Sequence, residues 1–360
     1  MNAMNSLANK RAIIVAAGTG GHIFPGLAVA EALRDQGWDI SWLGTKSGME
    51  NRLVKERNFH FESIEFGGTR GKGLATWLLM PLKLIKASIE CGLIFAKNRP
   101  NLVIGFGGYV TLPAGLAAKC MGKQLVIHEQ NSIIGLSNKV LAILTKSVFT
   151  AFPNVLRKAV VTGNPLRREF VSIDAPESRF ENRKGPLRIL IIGGSLGAKF
   201  LNETVPQAMK MLDLNNRPDI THQSGAYQFT DLKNLYERLD VRADVVPFID
   251  NMAVAFASTD LIICRAGAST VTEIAAVGAA AMFVPLPSAV DDHQTQNAMY
   301  LVKNDAAWLL PQSELTPQKL AAEILKIDRG ILLKTAIEAK KMFLPNTVNK
   351  IVDVCEELIK

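Results

Sequence analysis

Short apolar runs that alternate with longer segments of helical period constrain the fold of this chain more than any other feature. The first half contains the runs RAIIVAA, DISWLG, FHFESIEF, NLVIGFG, QLVIHE and SVFTAF. The second half repeats the rhythm with LRILII, DITHQSG, ADVVPFI, DLIIC and AAMFVPLP. Strands separated by helices form βαβ units, in which the strands run parallel. The sequence therefore predicts an α/β fold with two Rossmann-like parallel sheets.

The rhythm lapses once, between residues 164 and 184, where proline, arginine and glutamate are frequent. A chain of 360 residues is also longer than one hydrophobic core usually serves. We assign residues 1–166 to an N-terminal domain and residues 167–344 to a C-terminal domain, and we expect a final helix over residues 345–360 to complete the first. Ligands bind at the carboxyl ends of such strands, so two sheets facing across a cleft would place the site between them.

Composition limits the kinds of site and partner. The four cysteines form no CxxC pair, the five histidines no HxxxH spacing and the acids no DxD triplet, so neither a zinc site, a disulfide framework nor a magnesium pair is indicated. The sequence contains no uninterrupted stretch of about 20 apolar residues, which is the length that a membrane-spanning helix needs. The net charge of +8 favours nucleic acid, an anionic lipid surface or a phosphorylated substrate, and the charge alone does not choose among them.

Three turns of small residues follow predicted strands and precede predicted helices: GTGG at residues 18–21, GGSLG at 193–197 and RAGAS at 265–269. Backbone amides in such turns can face an anion without interference from Cβ atoms, and the helix N-terminus adds partial positive charge. The structural alternative is close packing of strand on helix. None of the turns completes a dinucleotide fingerprint or a P-loop, and Gly44 stands where a ribose-binding acid is expected. A nicotinamide enzyme is therefore disfavoured.

Two polar features lie beside these turns. The cluster HEQNS at residues 128–132 directly follows a predicted strand, which places it at the carboxyl edge of the sheet, where polar clusters are more often functional. Glu273 lies early in the helix that follows RAGAS. An early glutamate is favourable to any helix dipole, so Glu273 alone indicates structure rather than function.

Eight segments, taken together, resemble one family. They occur in this order: GTGGHIFPGLAVA, GFGGYVTLPAGLAA, HEQNSIIGLSNK, GNPLRREF, GGSLGA, FIDNMA, CRAGASTVTEIAAVG and DDHQTQNA. They are similar to segments of the MurG family, the bacterial N-acetylglucosamine transferases of peptidoglycan synthesis, which have the GT-B fold. The resemblance covers nearly the whole chain. The chain departs from the family at Gly278–Ala280, where the family often has Gly-Leu-Pro. It also departs in the amino-acid sequence of the loop LPSAVDDHQ.

The resemblance implies an inverting, metal-independent transfer of GlcNAc from UDP-GlcNAc to the MurNAc C4 hydroxyl of lipid I, which gives lipid II. It implies no cofactor, no nucleic-acid partner and a peripheral location on the cytoplasmic face of the bacterial inner membrane, and it leaves association with cell-wall synthesis complexes open. Two alternatives remain: a UDP-GlcNAc 2-epimerase, which shares the fold and the donor, and a non-catalytic membrane-associated nucleotide-sugar binder.

The resemblance also implies which residues form the site, by matching motifs. Those expected to contact UDP-GlcNAc are Thr19, Gly20, Gly21, Asn131, Arg167, Ser195, Ile249, Ala268, Ser269, Thr270, Val271, Thr272, Glu273 and Gln294. Those expected on the acceptor side are Tyr109 and Asn138. Within the donor set, Ile249 matches a uracil contact, Glu273 the glutamate that holds the ribose hydroxyls and Gln294 a residue that reads sugar hydroxyls.

An inverting transfer needs a base for the attacking hydroxyl. Histidine titrates near neutral pH with little tuning, and His22 lies at the mouth of the most open glycine turn. We therefore predict His22 as the general base, with Glu129 and His128 as alternative bases or acceptor contacts. The alternative role of His22 is to cap its helix or to orient the donor phosphate.

Residues 67–99 combine basic and apolar side chains. They contain six basic residues against the single acid Glu90: Arg70, Lys72, Lys83, Lys86, Lys97 and Arg99. An apolar run, Trp77 to Met80, lies among them. The structural alternative is a buried helix with a solvated basic face. Since the resemblance implies a lipid acceptor, which an epimerase does not need, we predict that this segment rests on an anionic bilayer.

Overall fold

The structure is a computed structural model that describes residues 10–67 and 78–360, apart from the side chain of Val290. These residues form two compact units. Unit 1 ends at Arg167 and also takes in Leu344–Lys360, and unit 2 is Arg168–Phe343. Arg167 and Leu344, which the sequence analysis assigned to the C-terminal domain, therefore belong with the first unit.

Unit 1 is built on a seven-stranded sheet of order β3-β2-β1-β4-β5-β6-β7, with every pair of neighbours parallel. Its strands are β1 (Arg11–Ala16), β2 (Asp39–Thr45), β3 (His60–Ile64), β4 (Leu102–Gly107), β5 (Gln124–Glu129), β6 (Ser147–Thr150) and β7 (Val160–Val161). Its helices begin with α1 (Gly20–Asp35), α2 (Met49–Lys55), α3 (Met80–Asn98), α4 (Thr111–Cys120) and α5 (Leu136–Leu144).

Unit 2 contains a six-stranded parallel sheet of order β10-β9-β8-β11-β12-β13. Its strands are β8 (Arg188–Ile192), β9 (Asp219–Gln223), β10 (Asp244–Val246), β11 (Leu261–Cys264), β12 (Ala281–Phe283) and β13 (Trp308–Leu309). Its helices are α6 (Arg168–Val171), α7 (Pro176–Phe180), α8 (Lys199–Lys210), α9 (Phe229–Arg238), α10 (Met252–Ser258), α11 (Ala268–Val277), α12 (His293–Val302), α13 (Pro317–Leu325) and α14 (Arg329–Lys341).

The chain then returns to unit 1 in the predicted final helix, α15 (Thr347–Glu357). Its apolar face packs into the same buried cluster as β1 and α1. Polar contacts fix it as well, because the Trp38 indole donates to Glu356 over 2.6 Å and the Thr347 hydroxyl donates to the carbonyl of Thr162 over 2.6 Å. The helix is thus an integral part of the first unit.

The stretch predicted as a linker is folded onto unit 2. It contains α6 and α7, whose Phe170 and Phe180 are buried. Phe170 meets Phe256 edge to face with ring centroids 5.9 Å apart. Arg183 forms an ion pair with the buried carboxylate of Asp260, with 2.6 Å between Nη1 and Oδ1. Proline and arginine here anchor a turn-rich segment instead of marking an open linker.

The predicted α/β class with two parallel sheets is confirmed. Each of the eleven apolar runs quoted for the two sheets contains a strand, and the two described strands that the sequence analysis did not identify, β7 and β13, have two residues each. No helix in the described ranges is both long enough and apolar enough to cross a bilayer. All four cysteines are free, and three of them are buried: Cys91, Cys264 and Cys355.

Candidate functional site

In each sheet the strand order reverses at one point, between β1 and β4 in unit 1 and between β8 and β11 in unit 2. Loops that leave such a point diverge to opposite faces of the sheet, and the opening between them is where doubly wound folds bind ligands. The GTGG turn follows β1, and the RAGAS turn follows β11. The predicted site residues therefore fall into two groups, one on each unit.

The glycine turn of unit 1 leads directly into a helix. Gly18 adopts a φ of +100°, which only glycine tolerates easily, and the exposed Thr19 is the N-cap of α1. The first-turn amides of Gly20 and Gly21 precede the intrahelical hydrogen bonds, so they can bind an anion. The Gly18 amide donates to the carboxylate of Glu50 over 3.3 Å.

Glu50 holds this turn from behind. Its side chain is fully buried, and it also accepts hydrogen bonds from the Thr45 amide over 2.9 Å and from the Thr45 hydroxyl over 2.6 Å. A buried carboxylate with three donors is a strong structural link. It explains the glycine at position 44, because a Cβ there would lie 2.7 Å from Cγ of Glu50.

His22 lies in the first turn of α1 and is partly buried. Its Nδ1 is 2.7 Å from Oε1 of Gln130, which follows β5. The ring also fills the space beside Gly107, where a Cβ would come within 2.7 Å of Nδ1. Gly107 itself has a φ of +102°. The imidazole is therefore oriented by two neighbouring strand ends, and its Nε2 has no hydrogen-bond partner among residues 10–67 and 78–360.

The second histidine, His128, does not fit the role of alternative base. It is completely buried at the end of β5, where its Nε2 lies 2.9 Å from the Gly163 carbonyl and its Nδ1 lies 3.0 Å from Nε2 of Gln130. Burial lowers the pKa of His128 to about 4, so the ring is neutral at pH 7. With both nitrogens engaged and no exposure, His128 cannot reach a substrate hydroxyl, and its part in the site is internal.

Glu129, the other alternative base, organises the loop that follows it. The buried carboxylate accepts from the amide of Asn131 and the amide of Gly135, each over 3.0 Å, and from Nδ2 of Asn138 over 2.9 Å. These bonds occupy both oxygens. Asn138 is itself buried and also donates to the His128 carbonyl over 3.3 Å. The structure therefore shows Glu129 and Asn138 holding this loop in place, and their contacts with substrate stay predictions.

Three other predicted site residues also belong to unit 1. Asn131 stands at the start of the loop that Glu129 organises, and Tyr109 follows Gly107 and is half-exposed. The guanidinium of Arg167 lies 4.9 Å from the ring centroid of Phe24, on the first turns of α1. Arg167 thus belongs to the glycine turn of unit 1 instead of opening the second domain.

The GGSLG turn of unit 2 is held by a second buried glutamine. Gln223, at the end of β9, donates from Nε2 to the Gly194 carbonyl and accepts from the amide of Ile249, each over 2.9 Å. Gly197 packs so closely on the Ser224 carbonyl that a Cβ would collide with it. The predicted uracil contact Ile249 and the exposed Ser195 are thereby fixed to one framework.

At the third turn, α11 begins at Ala268 with Gly267 as N-cap. The amides of Ala268, Ser269 and Thr270 precede the first intrahelical bond, which Val271 makes to Gly267 over 3.0 Å. The buried Ser269 hydroxyl oxygen has no partner among the described residues. The first turn of α11 therefore has hydrogen-bonding groups that no intrahelical bond uses.

The other predicted residues of α11 differ in their burial and in their hydrogen bonds. The side chain of Val271 lies in the core, and the Thr272 hydroxyl donates to the Ala268 carbonyl over 2.9 Å, so their contact with the donor stays a prediction that these two side chains do not support. Glu273 is 9% exposed. Burial and the adjacent Glu273 charge both raise the pKa of Cys264, which places the glutamate at the carboxyl end of β11.

Gln294 is the last predicted site residue of unit 2 and lies in the first turn of α12. Its Oε1 accepts from the amide of Ala266 over 3.3 Å and from the amide of Leu286 over 3.0 Å, which ties α12 to the ends of β11 and β12. The Nε2 hydrogens are the part of this side chain that can donate to a ligand. Within the described residues, no group of three or more His, Cys, Asp and Glu side chains is arranged to hold a metal ion.

Four residues that hold these turns were not named individually in the sequence analysis, although the quoted segments contain two of them, Gly107 and Gln130; the others are Glu50 and Gln223. Each of the two glutamines directly follows a histidine or lies two residues beyond one at a strand end, as in HEQ and HQ. That recurrence is a visible signal. The partner of each glutamine is distant in sequence, however, so only the fold identifies what it binds.

Two family models match the chain. The glycosyltransferase family 28 N-terminal domain matches residues 12–150, and its C-terminal domain matches residues 188–352. A curated relative from Polaromonas sp. (strain JS666 / ATCC BAA-500) is 51% identical over 99% of this chain and 94% of its own length, and one from Acidovorax sp. (strain JS42) is 52% identical over 98% and 88%. Both are named UDP-N-acetylglucosamine–N-acetylmuramyl-(pentapeptide) pyrophosphoryl-undecaprenol N-acetylglucosamine transferase.

The chain belongs to this transferase family. The crystal structure of MurG from Acinetobacter baumannii superposes with a TM-score of 0.84 at 42% identity and covers 97% of this chain and 99% of its own. The calicheamicin glycosyltransferase CalG4 superposes with a TM-score of 0.69 at 13% identity, which supports the fold alone. The GT-B fold and the MurG family membership expected from the eight segments are both confirmed.

Proposed function

We propose that this MurG family member transfers GlcNAc from UDP-GlcNAc to the MurNAc C4 hydroxyl of lipid I, with inversion and without a metal ion. The proposal is carried by the 51% identity over 99% of the chain to a transferase named for these substrates. Unit 1 binds the acceptor and carries the proposed donor contacts Thr19, Gly20, Gly21, Asn131 and Arg167, and unit 2 carries the other proposed donor contacts.

On unit 1, His22 is the general base. Its unpartnered Nε2 takes the proton of the C4 hydroxyl as the oxygen attacks the anomeric carbon. The amides of Gly20 and Gly21 and the guanidinium of Arg167 supply positive potential next to it for a diphosphate. Tyr109 is a proposed acceptor contact and Asn131 a proposed donor contact of the same unit.

On unit 2, the donor diphosphate meets the GGSLG turn and the N-terminus of α11. As the bond to the sugar breaks, negative charge collects on the β-phosphate. Ser195, the Ser269 hydroxyl and the amides of Ala268 and Thr270 stabilise that charge, a role supported by the unpartnered Ser269 oxygen and by the start of α11 at Ala268. Glu273 binds the ribose hydroxyls, Ile249 contacts the uracil, and Gln294 donates from Nε2 to the sugar.

One assay tests this function against both alternatives. The protein is incubated with UDP-GlcNAc, with and without a soluble lipid I analogue, and UDP and free sugars are quantified. We expect UDP release only with acceptor, and no N-acetylmannosamine. Epimerised sugar in the absence of acceptor would identify an epimerase, and donor binding without turnover in either condition would identify a nucleotide-sugar binder.

We also propose that α3 rests on the cytoplasmic face of the bacterial inner membrane. Within the segment predicted for this role, residues 68–77 lie outside the described residues, and they include Arg70, Lys72 and Trp77. Ala87, Cys91 and Phe95 bury one face of α3 against unit 1. The opposite face carries apolar side chains that are 57–75% exposed: Leu78, Leu82, Ile85, Ile89 and Leu93.

This stripe supports membrane binding better than the sequence alone did. Its residues recur every three or four positions, so they form one continuous line along the helix. Lys83 and Lys86 flank it and are exposed. An exposed apolar stripe bordered by lysines is typical of helices that lie in the interface of an anionic bilayer.

Replacing Ile85 and Ile89 together by aspartate should weaken binding to anionic vesicles by at least about tenfold, because two side chains worth about 1.5–3 kcal/mol each on burial are lost from the interface. Charge reversal at Lys83 and Lys86 should reduce binding chiefly at low salt, since exposed charges are screened over about 10 Å at 0.1 M. Vesicle flotation measures both. Leu214→Asp, at an equally exposed leucine of unit 2, is the matched control. Flotation unchanged in both α3 variants would exclude this surface.

A further inference from the structure

A chain of three side chains runs from His22 into the core of unit 1. His22 Nδ1 is 2.7 Å from Gln130 Oε1, Gln130 Nε2 is 3.0 Å from His128 Nδ1, and His128 Nε2 is 2.9 Å from the carbonyl oxygen of Gly163. Gln130 and His128 are both buried. Neither can contact substrate directly. Within the described residues, however, Gln130 is the side chain that hydrogen-bonds to His22.

The positions of the hydrogens along this chain follow from its inner end. A carbonyl oxygen only accepts, so Nε2 of His128 must carry a hydrogen. Because burial keeps His128 neutral, with its pKa lowered to about 4, its Nδ1 has no hydrogen and accepts one from Gln130. The second Nε2 hydrogen of Gln130 goes to the His128 carbonyl over 2.9 Å, which independently fixes the orientation of the amide.

The outer end is then determined. With the amide nitrogen of Gln130 facing inward, its Oε1 faces His22 and can only accept. Nδ1 of His22 must therefore be the protonated nitrogen of the neutral ring, and Nε2 must hold the lone pair. Gly107 leaves room for this ring orientation, since any side chain there would meet Nδ1.

We infer that Gln130 and His128 are positioning residues that hold His22 in the Nδ1–H tautomer, so that Nε2 is free to remove the acceptor proton. This inference rests on the proposed function. The same hydrogen bond gains strength as the reaction proceeds, because the amide oxygen of Gln130 faces a ring that becomes positively charged. Gln130 and His128 themselves stay neutral, unlike the carboxylate of a carboxylate–histidine pair, and the Gly163 carbonyl sets the direction of their hydrogen bonds.

The test combines a spectroscopic readout with kinetics. In protein labelled with ¹⁵N at histidine, long-range ¹H–¹⁵N correlations report which ring nitrogen of His22 is protonated, and the His22→Ala spectrum supplies the assignment. We expect a protonated Nδ1 in the wild type and in Gln130→Glu, which keeps an acceptor facing His22. We expect loss of that preference in Gln130→Met, together with a fall in kcat of about 10- to 100-fold and little change in the KM for UDP-GlcNAc.

Tyr236→Phe is the matched control, because it removes another hydrogen bond to a buried histidine, the 2.9 Å contact with Nδ1 of His222 in unit 2. It should cost thermal stability without changing the His22 tautomer or kcat. A wild-type His22 protonated at Nε2 would overturn the inference, and so would full turnover in Gln130→Met. If the wild type has the Nδ1–H tautomer but releases no UDP in response to acceptor, the proposed function is overturned. The catalytic role of Gln130 and His128 is then overturned with it.

Discussion

Replacing His22 by alanine should lower kcat by roughly 100- to 10,000-fold, the usual contribution of a general base. The affinity for UDP-GlcNAc should hardly change, because His22 is not among the proposed donor contacts, and Ser195, Ile249 and Glu273 belong to unit 2. The acceptor hydroxyl would then have to lose its proton to water while it attacks. Steady-state kinetics with a lipid I analogue, combined with calorimetric titration of UDP-GlcNAc, separate the two effects.

His60→Ala is the control for this experiment, since His60 is an exposed histidine of unit 1 that pairs with Glu62 over 3.0 Å. It should keep its turnover. A His22→Ala protein that also keeps its turnover, or one that loses it only through weaker donor binding, would assign His22 to capping α1 or to orienting the donor phosphate.

Replacing Glu273 by alanine should weaken UDP-GlcNAc binding by about 1.5–3 kcal/mol, which corresponds to an increase in Kd of roughly 10- to 150-fold. The glutamate lies at the carboxyl end of β11 and is nearly buried, and in the proposed function its carboxylate forms charge-assisted hydrogen bonds with the ribose hydroxyls. Isothermal titration with UDP-GlcNAc measures the loss, and titration with UDP should show a similar loss because the ribose is common to both ligands.

Two variants sharpen the result. Glu273→Gln keeps the shape and removes the charge, so it should lose less affinity than alanine does. Glu338→Ala removes an acid of unit 2 that pairs with Lys341 over 2.7 Å on α14, and it should bind donor normally. Equal affinity of Glu273→Ala and the unchanged protein would make Glu273 an ordinary helix residue.

The sequence predicted the sheets well because buried parallel strands read as apolar runs wherever they are long enough. β1 and β11 illustrate this, whereas β7 and β13 have two residues each and leave no such pattern. The helices α6 and α7 were not predicted, because proline and charged residues obscure them. Their stability comes from tertiary contacts such as the Phe170–Phe256 pair, which local sequence does not encode.

The candidate site was predicted in outline and not in its inner connections. Motifs identified the turns that carry His22, Ser195 and Glu273, since small residues before a helix are visible in sequence. They did not reveal that His128 is buried and neutral or that Glu129 is occupied by its own loop, because burial and hydrogen-bond partners depend on the folded chain. The partnership of His22 with Gln130 spans 108 positions and was equally invisible.

The return of α15 to unit 1 affects the order in which this protein can be completed. Unit 2 is an insertion within the sequence of unit 1. The ribosome therefore synthesises all of Arg168–Phe343 before it synthesises α15, the helix that completes the core of unit 1. Until then the cluster around α1 is open on one side, and the strand end at Gly163 lacks its neighbours Leu344 and Thr347. Gly163 is the residue whose carbonyl orients His128. The half that holds the proposed base is therefore begun first and finished last during synthesis, while the proposed donor half can fold in between.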